Sequence, residues 1–85
     1  MKPIVIYTKS YCSYCHSAKE LLRLRGWTFT EIDVTMDSEG QKEMVRLSGG
    51  RKTVPQIFIG ETHVGGCDDL YALEQSGKLD ELVCG

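Results

Sequence analysis

The chain has 85 residues, 41% of them hydrophobic and 26% charged, which suffices for one domain over residues 1–85 and excludes two. Its net charge of -2 favours neither nucleic acid nor an anionic membrane as a partner. No apolar segment approaches the roughly 20 residues that span a bilayer, and no secretion signal precedes the first apolar run, so we expect a cytoplasmic protein.

The first part of the chain predicts a strand, a helix and a second strand. The β-branched run "IVIYT" is typical of a buried strand. Apolar residues then recur at helical spacing from Ala18 to Leu24, and Gly26 marks the end of that helix. The alternation in "WTFTEIDV" predicts a second strand. Strand, helix and strand in about 30 residues indicate a βαβ unit with parallel strands.

The second part predicts a helix, a hairpin and two further helical segments. Ser38 and Gln41 have the spacing of a capping box and open a helix that ends at Gly49. "QIFIG" and "THVGG" are short strands joined around Gly60, close enough for an antiparallel hairpin. "CDDLYALEQSG" predicts a helix, and "KLDELV" a final turn or two. This order predicts an α/β fold with a mixed four-stranded sheet flanked by helices.

Cys12 and Cys15 lie three positions apart where the first strand gives way to the first helix. Unpaired N–H groups and the helix dipole stabilise an anion there, and Lys9 adds a positive charge, so Cys12 is favoured as a thiolate. Cys15 lies one turn further along the same face, more enclosed but within reach for a disulfide. The asymmetry predicts a redox pair in which Cys12 attacks and Cys15 resolves.

Two other chemistries match part of this segment. The spelling C-x-x-C-H, completed by His16, also fits covalent haem attachment, but that chemistry needs an axial ligand and a cofactor cavity for which 85 residues leave little space. A zinc site needs four ligands, and Cys67, Cys84, His16 and His63 are scattered along the chain. The redox pair is therefore preferred, with no resident metal, and His16 is expected to face solvent.

Three segments, "IYTKSYCSYCHSAKELL", "TVPQIFIG" and "HVGGCDDLYALEQSGKL", resemble the glutaredoxin family, most closely its small bacterial glutaredoxin-3 type. The resemblance covers essentially the whole chain. It implies a thioredoxin-like fold and glutathione-dependent reduction of protein disulfides and glutathione mixed disulfides. It also implies glutathione as a co-substrate, no permanently bound cofactor, and a monomer whose partners are glutathione and disulfide-containing or glutathionylated proteins.

The resemblance further implies where glutathione binds. The Val54–Pro55 bond would be cis and face the cysteine pair, and the "GGCDD" segment would receive the γ-glutamyl end, with Asp68 pairing with the ligand's α-ammonium. Arg51 and Lys52 would help to attract the glycyl carboxylate. The implied glutathione-binding residues are Lys9, Tyr14, Thr53, Val54, Pro55, Gly66, Cys67 and Asp68.

Ser13 departs from the family's commonest active-site spelling, C-P-Y-C. Serine at this position also resembles the glutaredoxins that hold a [2Fe–2S] cluster between two protomers, with the first active-site cysteine and glutathione as ligands. The alternative is therefore a cluster-binding dimer, bridged through Cys12 and glutathione, with a sensor or carrier role. Outside the pair, Cys67 is expected to be a buried or half-buried structural thiol and Cys84 an exposed thiol.

Overall fold

Four strands form a single mixed sheet in the computed structural model, which describes residues 1–85. The elements in chain order are β1 (Ile4–Thr8), α1 (Ser13–Leu24), β2 (Thr30–Asp33), α2 (Ser38–Leu47), β3 (Gln56–Ile59), β4 (Thr62–Gly65), α3 (Cys67–Ser76) and α4 (Lys78–Cys84). The strand order is β2-β1-β3-β4, with β1 parallel to β2 and antiparallel to β3. Strands β3 and β4 are antiparallel. The predicted α/β architecture is confirmed.

Consecutive residues of β1 pack on opposite faces of this sheet, as the pleat of a strand requires. Ile6 belongs to the larger core, which it shares with Ile57 of β3 and with buried side chains of α1, α3 and α4. Tyr7 belongs to a smaller core with Met44 of α2, against which Phe58 packs. The sheet is therefore sandwiched between α1, α3 and α4 on one face and α2 on the other. None of the helices has both the length and the hydropathy needed to cross a bilayer.

The capping box predicted for α2 is wrong. The N-cap is Asp37, whose Oδ1 accepts a hydrogen bond from the Gly40 N–H at 2.9 Å. Gln41 does not reach back to the helix start, because its Nε2 donates to the Val34 carbonyl at 2.8 Å. Aspartate and serine cap helices about equally well, and here the aspartate one residue earlier takes the position.

Two further details differ from the sequence-based expectation. Strand β2 begins at Thr30 rather than Trp27, because the Trp27 N–H donates to the Leu22 carbonyl at 3.1 Å and so ties this segment to the end of α1. The apolar series of α1 ends at Leu22, since Leu24 lies about 200° further round the helix and is 75% exposed. Both corrections leave the positions of the cysteines unchanged.

Candidate active site

Cys12 is the N-cap of α1, as predicted. Its backbone is extended, and its Sγ accepts a hydrogen bond from the Cys15 N–H at an N···S distance of 3.3 Å. The thiol also points at the Val54 carbonyl oxygen, 3.6 Å away. No acidic residue lies in the first turn of α1. A sulfur in this position therefore faces the unpaired N–H groups and the positive end of the helix dipole, with no carboxylate in that turn to oppose a thiolate.

Cys15 lies in a different environment one turn into the same helix. Its side chain is buried, with 1% of its surface exposed, whereas Cys12 is half-buried. Burial, and then a hydrogen bond with the Cys12 side chain, raise the pKa of the Cys15 thiol from 9.0 to about 12. Cys15 therefore stays protonated at neutral pH, and of the two sulfurs Cys12 is the one placed to attack.

A groove of about 280 Å³ lies beside the cysteine pair. Its lining residues come from the start of α1, the segment before β3 and the start of α3. They are Tyr14, Arg51, Thr53, Val54, Pro55, Gly66, Cys67, Asp68 and Asp69. Seven of the eight implied glutathione-binding residues are thus brought together. The eighth, Lys9, instead lines a neighbouring groove of about 730 Å³ together with Lys42, Arg46 and Lys52.

The wall before β3 contains the Val54–Pro55 peptide bond, which is cis as the resemblance implied. Its Val54 carbonyl is the group that approaches Cys12. Arg51, which was expected only to help attract the ligand, lines the groove directly. Its Nη1 lies 3.8 Å from Asp69 Oδ2, so the groove has a cationic side chain next to a carboxylate.

The opposite wall is the N-terminus of α3, which begins after Gly65 and Gly66. Gly65 has a φ of +116°, and a Cβ at this position would collide with the Asp69 carboxylate, so the backbone conformation requires glycine. Asp69 Oδ2 accepts a hydrogen bond from the Gly66 N–H at 2.9 Å. Sequence reasoning missed Asp69 as a groove residue, although its position beside Asp68 in the first turn of α3 was a signal.

The remaining cysteines and His16 lie where the sequence placed them. Cys67 is 7% exposed, and burial, followed by the nearby charges of Asp68 and Cys12, raises the pKa of its thiol. Cys84 and His16 are exposed. The chain has no group of three or more His, Cys, Asp or Glu side chains arranged to hold a metal ion.

Known proteins resemble this chain in both sequence and fold. A family model described as glutaredoxin matches residues 4–64. The chain is 55% identical over 83 residues to a glutaredoxin of Pseudomonas aeruginosa, covering 98% of each protein. It is 51% identical over 83 residues to glutaredoxin 3 of Escherichia coli K12, covering 98% of this chain and 99% of the relative. The fold matches a crystal structure of the buckwheat glutaredoxin–glutathione complex with a TM-score of 0.87 at 34% identity, covering 98% of this chain and 77% of the other.

Proposed function

The chain belongs to the glutaredoxin family, and we propose that Cys12 and Cys15 are the redox pair through which it acts as a glutathione-dependent disulfide oxidoreductase. One observation carries the proposal. The Cys12 sulfur caps α1 beside the groove and faces the Val54 carbonyl, whereas the Cys15 thiol is buried. A thiolate is the nucleophile in thiol–disulfide exchange, so Cys12 is the attacking thiol and Cys15 the resolving thiol.

A glutathionylated protein is reduced in two exchanges at Cys12. The Cys12 thiolate attacks the glutathione sulfur, a bond forms between those two sulfurs, and the target protein leaves as a thiolate that takes a proton from solvent. Glutathione is then joined to Cys12 in the groove. A second glutathione thiolate attacks the bound glutathione sulfur, Cys12 leaves as a thiolate, and glutathione disulfide is released. The helix N-terminus favours this last step because a stabilised thiolate is the better leaving group.

A protein disulfide requires Cys15 as well. Cys12 attacks one sulfur of the substrate, Cys15 loses its proton and attacks the Cys12 sulfur, and the substrate leaves with both sulfurs reduced. Formation of the mixed disulfide removes the hydrogen-bonded Cys12 partner that helps to raise the Cys15 pKa, so Cys15 is easier to deprotonate at this stage. Two glutathione molecules then reduce the Cys12–Cys15 disulfide and are released as glutathione disulfide.

Glutathione binding is assigned to the groove beside Cys12. The free N–H groups at the start of α3 suit the γ-glutamyl carboxylate, and the exposed Asp68 carboxylate suits the adjacent α-ammonium. Tyr14 and Thr53 flank the sulfur and the peptide part of the ligand, while Lys9 and Lys52 lie at the neighbouring groove and attract the glycyl carboxylate. The buckwheat relative has been crystallised as a glutathione complex, which supports this assignment.

The proposed partners are glutathione and disulfide-containing or glutathionylated proteins. Neither nucleic acid nor a membrane is proposed as a partner. We place the protein in the cytoplasm as a monomer without a permanently bound cofactor, because a reducing compartment keeps thiol pairs available for catalysis. The alternative, a [2Fe–2S] cluster bridged through Cys12 and glutathione, needs a second protomer, and the comparisons do not favour it.

The test is the rate at which glutathione reduces a glutathionylated peptide in the presence of wild type, Cys12→Ser and Cys15→Ser, with Cys84→Ser as the matched control at an exposed thiol. We expect Cys12→Ser to be inactive and Cys84→Ser to match wild type. Cys15→Ser should still reduce the glutathionylated peptide but should lose activity on substrates that need the dithiol route. A wild-type rate no higher than that of Cys12→Ser would contradict the proposed role of Cys12.

A further inference from the structure

Gln56, the first residue of β3, is fully buried and makes hydrogen bonds with both ends of its side-chain amide. Its Nε2 donates to the carbonyl oxygen of Thr53 at 3.0 Å and to the Thr53 hydroxyl at 3.1 Å. Its Oε1 lies 2.7 Å from Nε2 of His63 on β4. A continuous series of hydrogen bonds therefore joins the outer strand of the sheet to a residue of the proposed glutathione groove.

The chemistry of these groups fixes which atom donates in each bond. A backbone carbonyl can only accept, so the nitrogen of the Gln56 amide must face Thr53 and the oxygen must face His63. Since the amide oxygen can only accept, His63 Nε2 must carry a hydrogen. Burial, and then the nearby Arg51, lower the pKa of His63, so the neutral ring at pH 7 has its single hydrogen on Nε2.

The ring that supplies this hydrogen is itself held in place. His63 stacks on Phe58 with ring centroids 4.9 Å apart and an interplanar angle of 30°. Phe58 in turn meets the edge of Tyr7, with centroids 5.8 Å apart. Thr53 lines the groove, whereas Gln56 and His63 do not. The Thr53 hydroxyl makes one hydrogen bond, which it accepts from Gln56.

We propose that Gln56 and His63 are positioning residues for glutathione binding: the His63 Nε2–H holds the Gln56 amide in the single orientation that fixes the Thr53 carbonyl and hydroxyl at the groove. The inference rests on the proposed function, in which Thr53 contacts glutathione. Without the His63 donor, the buried Gln56 oxygen has no partner. The amide is then held only from the Thr53 side, so it fixes the Thr53 carbonyl and hydroxyl less firmly at the groove.

Variants of His63 distinguish the loss of the hydrogen-bond donor from the loss of the imidazole ring. His63→Leu removes the donor. A glutamine amide nitrogen can occupy the place of an imidazole Nε2, so His63→Gln restores a donor to Gln56. An asparagine amide is too short to reach that place, which makes His63→Asn the matched control for a side chain that is polar but misplaced.

The experiment measures KM and kcat with a glutathionylated peptide, together with Tm to show that each variant is folded. We expect His63→Leu and His63→Asn to raise KM about threefold to tenfold, the worth of one hydrogen bond, with kcat within about twofold of wild type. His63→Gln should restore the wild-type KM. A KM for His63→Leu equal to that of wild type, or a His63→Gln variant as weak as His63→Leu, would overturn the proposal.

Thr53→Val, alone and combined with His63→Leu, distinguishes failure of this inference from failure of the assigned function. Thr53→Val removes the hydroxyl but keeps the backbone carbonyl that Gln56 also binds. If His63 acts through Thr53, the double variant should therefore have a KM clearly below the product of the two single effects, whereas effects that multiply fully would contradict the link. If Thr53→Val leaves KM unchanged while Cys12→Ser is inactive, the link to glutathione fails and the catalytic assignment stands.

A second measurement needs no variant. Nitrogen-15 NMR of the imidazole of His63 at neutral pH should show the Nε2–H tautomer. The Nδ1–H tautomer would remove the donor on which the inference depends and would overturn it.

Discussion

Helices α1 and α3 both begin at the groove, but their N-termini carry opposite charge patterns. The first turn of α1 has no acidic residue, and its cap is the sulfur of Cys12. The first turn of α3 contains Asp68 and Asp69, and its N-cap is Gly66, which has no side chain. The positive ends of the two helix dipoles therefore meet different groups. At α1 this end faces the Cys12 sulfur with no carboxylate in the first turn, while at α3 it lies beside two carboxylates, a pattern that suits the zwitterionic end of the proposed ligand.

The comparison predicts that giving α1 the charge pattern of α3 slows the thiol–disulfide exchange at Cys12. Ser13→Asp places a carboxylate next to Cys12, where it opposes the thiolate electrostatically. We expect kcat/KM for the glutathionylated peptide to fall about tenfold, because like charges a few ångströms apart near a protein surface repel by more than 1 kcal/mol. Ser13→Asn is the matched neutral control and should retain most of the activity. Equal loss in both variants would show that shape at position 13 matters rather than charge.

Removing a carboxylate from α3 should instead impair binding. Asp68 is exposed, so water would screen the pairing that we propose with the ligand's α-ammonium, and Asp68→Asn should raise KM by no more than about fivefold. The expected kcat is unchanged, because Asp68 does not touch the reacting sulfurs. Glu61→Gln removes the same charge from an exposed position outside the groove and should leave KM unaltered. A fall in kcat without a change in KM would contradict the division of tasks between the two helices.

A carboxylate that does not line the groove should affect stability alone. The hydrogen bond from the Thr8 hydroxyl, and then the Lys19 ammonium at 2.9 Å, lower the pKa of Glu31. A carboxyl pKa that is lower in the folded state adds stability above the unfolded-state pKa, and this stability is lost as pH falls through the folded-state value.

We therefore expect Glu31→Gln to reduce the free energy of unfolding at pH 7 by less than about 1 kcal/mol, with kcat and KM unchanged. Urea denaturation from pH 7 down to pH 2 checks this. The difference from wild type should shrink as pH falls below about 4, where the carboxyl of the unfolded chain becomes protonated. A difference that grows on acidification would contradict the sign of the Glu31 shift.

The parts of the fold that follow from local patterns could be predicted from the sequence. The β-branched run of β1 and the position of Cys12 ahead of a helix both depend on neighbouring residues. The choice of Asp37 over Ser38 as the α2 cap could not be predicted, because two adjacent residues cap about equally well. The sequence pattern placed Asp68 and Asp69 together, but only the folded α3 shows Asp69 turned back to Gly66.

The composition of the groove lay beyond local patterns. Tyr14, Thr53 and Asp68 come from three separate elements, and it was the family resemblance that grouped them. The series of hydrogen bonds from His63 through Gln56 to Thr53 could not be predicted from the sequence for a related reason. It depends on how the hairpin of β3 and β4 aligns two side chains across strands, and residue spacing alone does not determine that alignment.

The contrast between Cys12 and Cys15 can be tested directly by alkylation of the reduced protein with iodoacetamide from pH 6 to pH 9, with the modified cysteines identified by mass spectrometry. A Cys84→Ser background removes the exposed thiol. Because a pKa of about 12 keeps the buried Cys15 protonated throughout this range, we expect Cys12 to be modified first and Cys15 to remain unmodified. Modification of Cys15 at a rate comparable to that of Cys12 would contradict the assignment of attacking and resolving thiols.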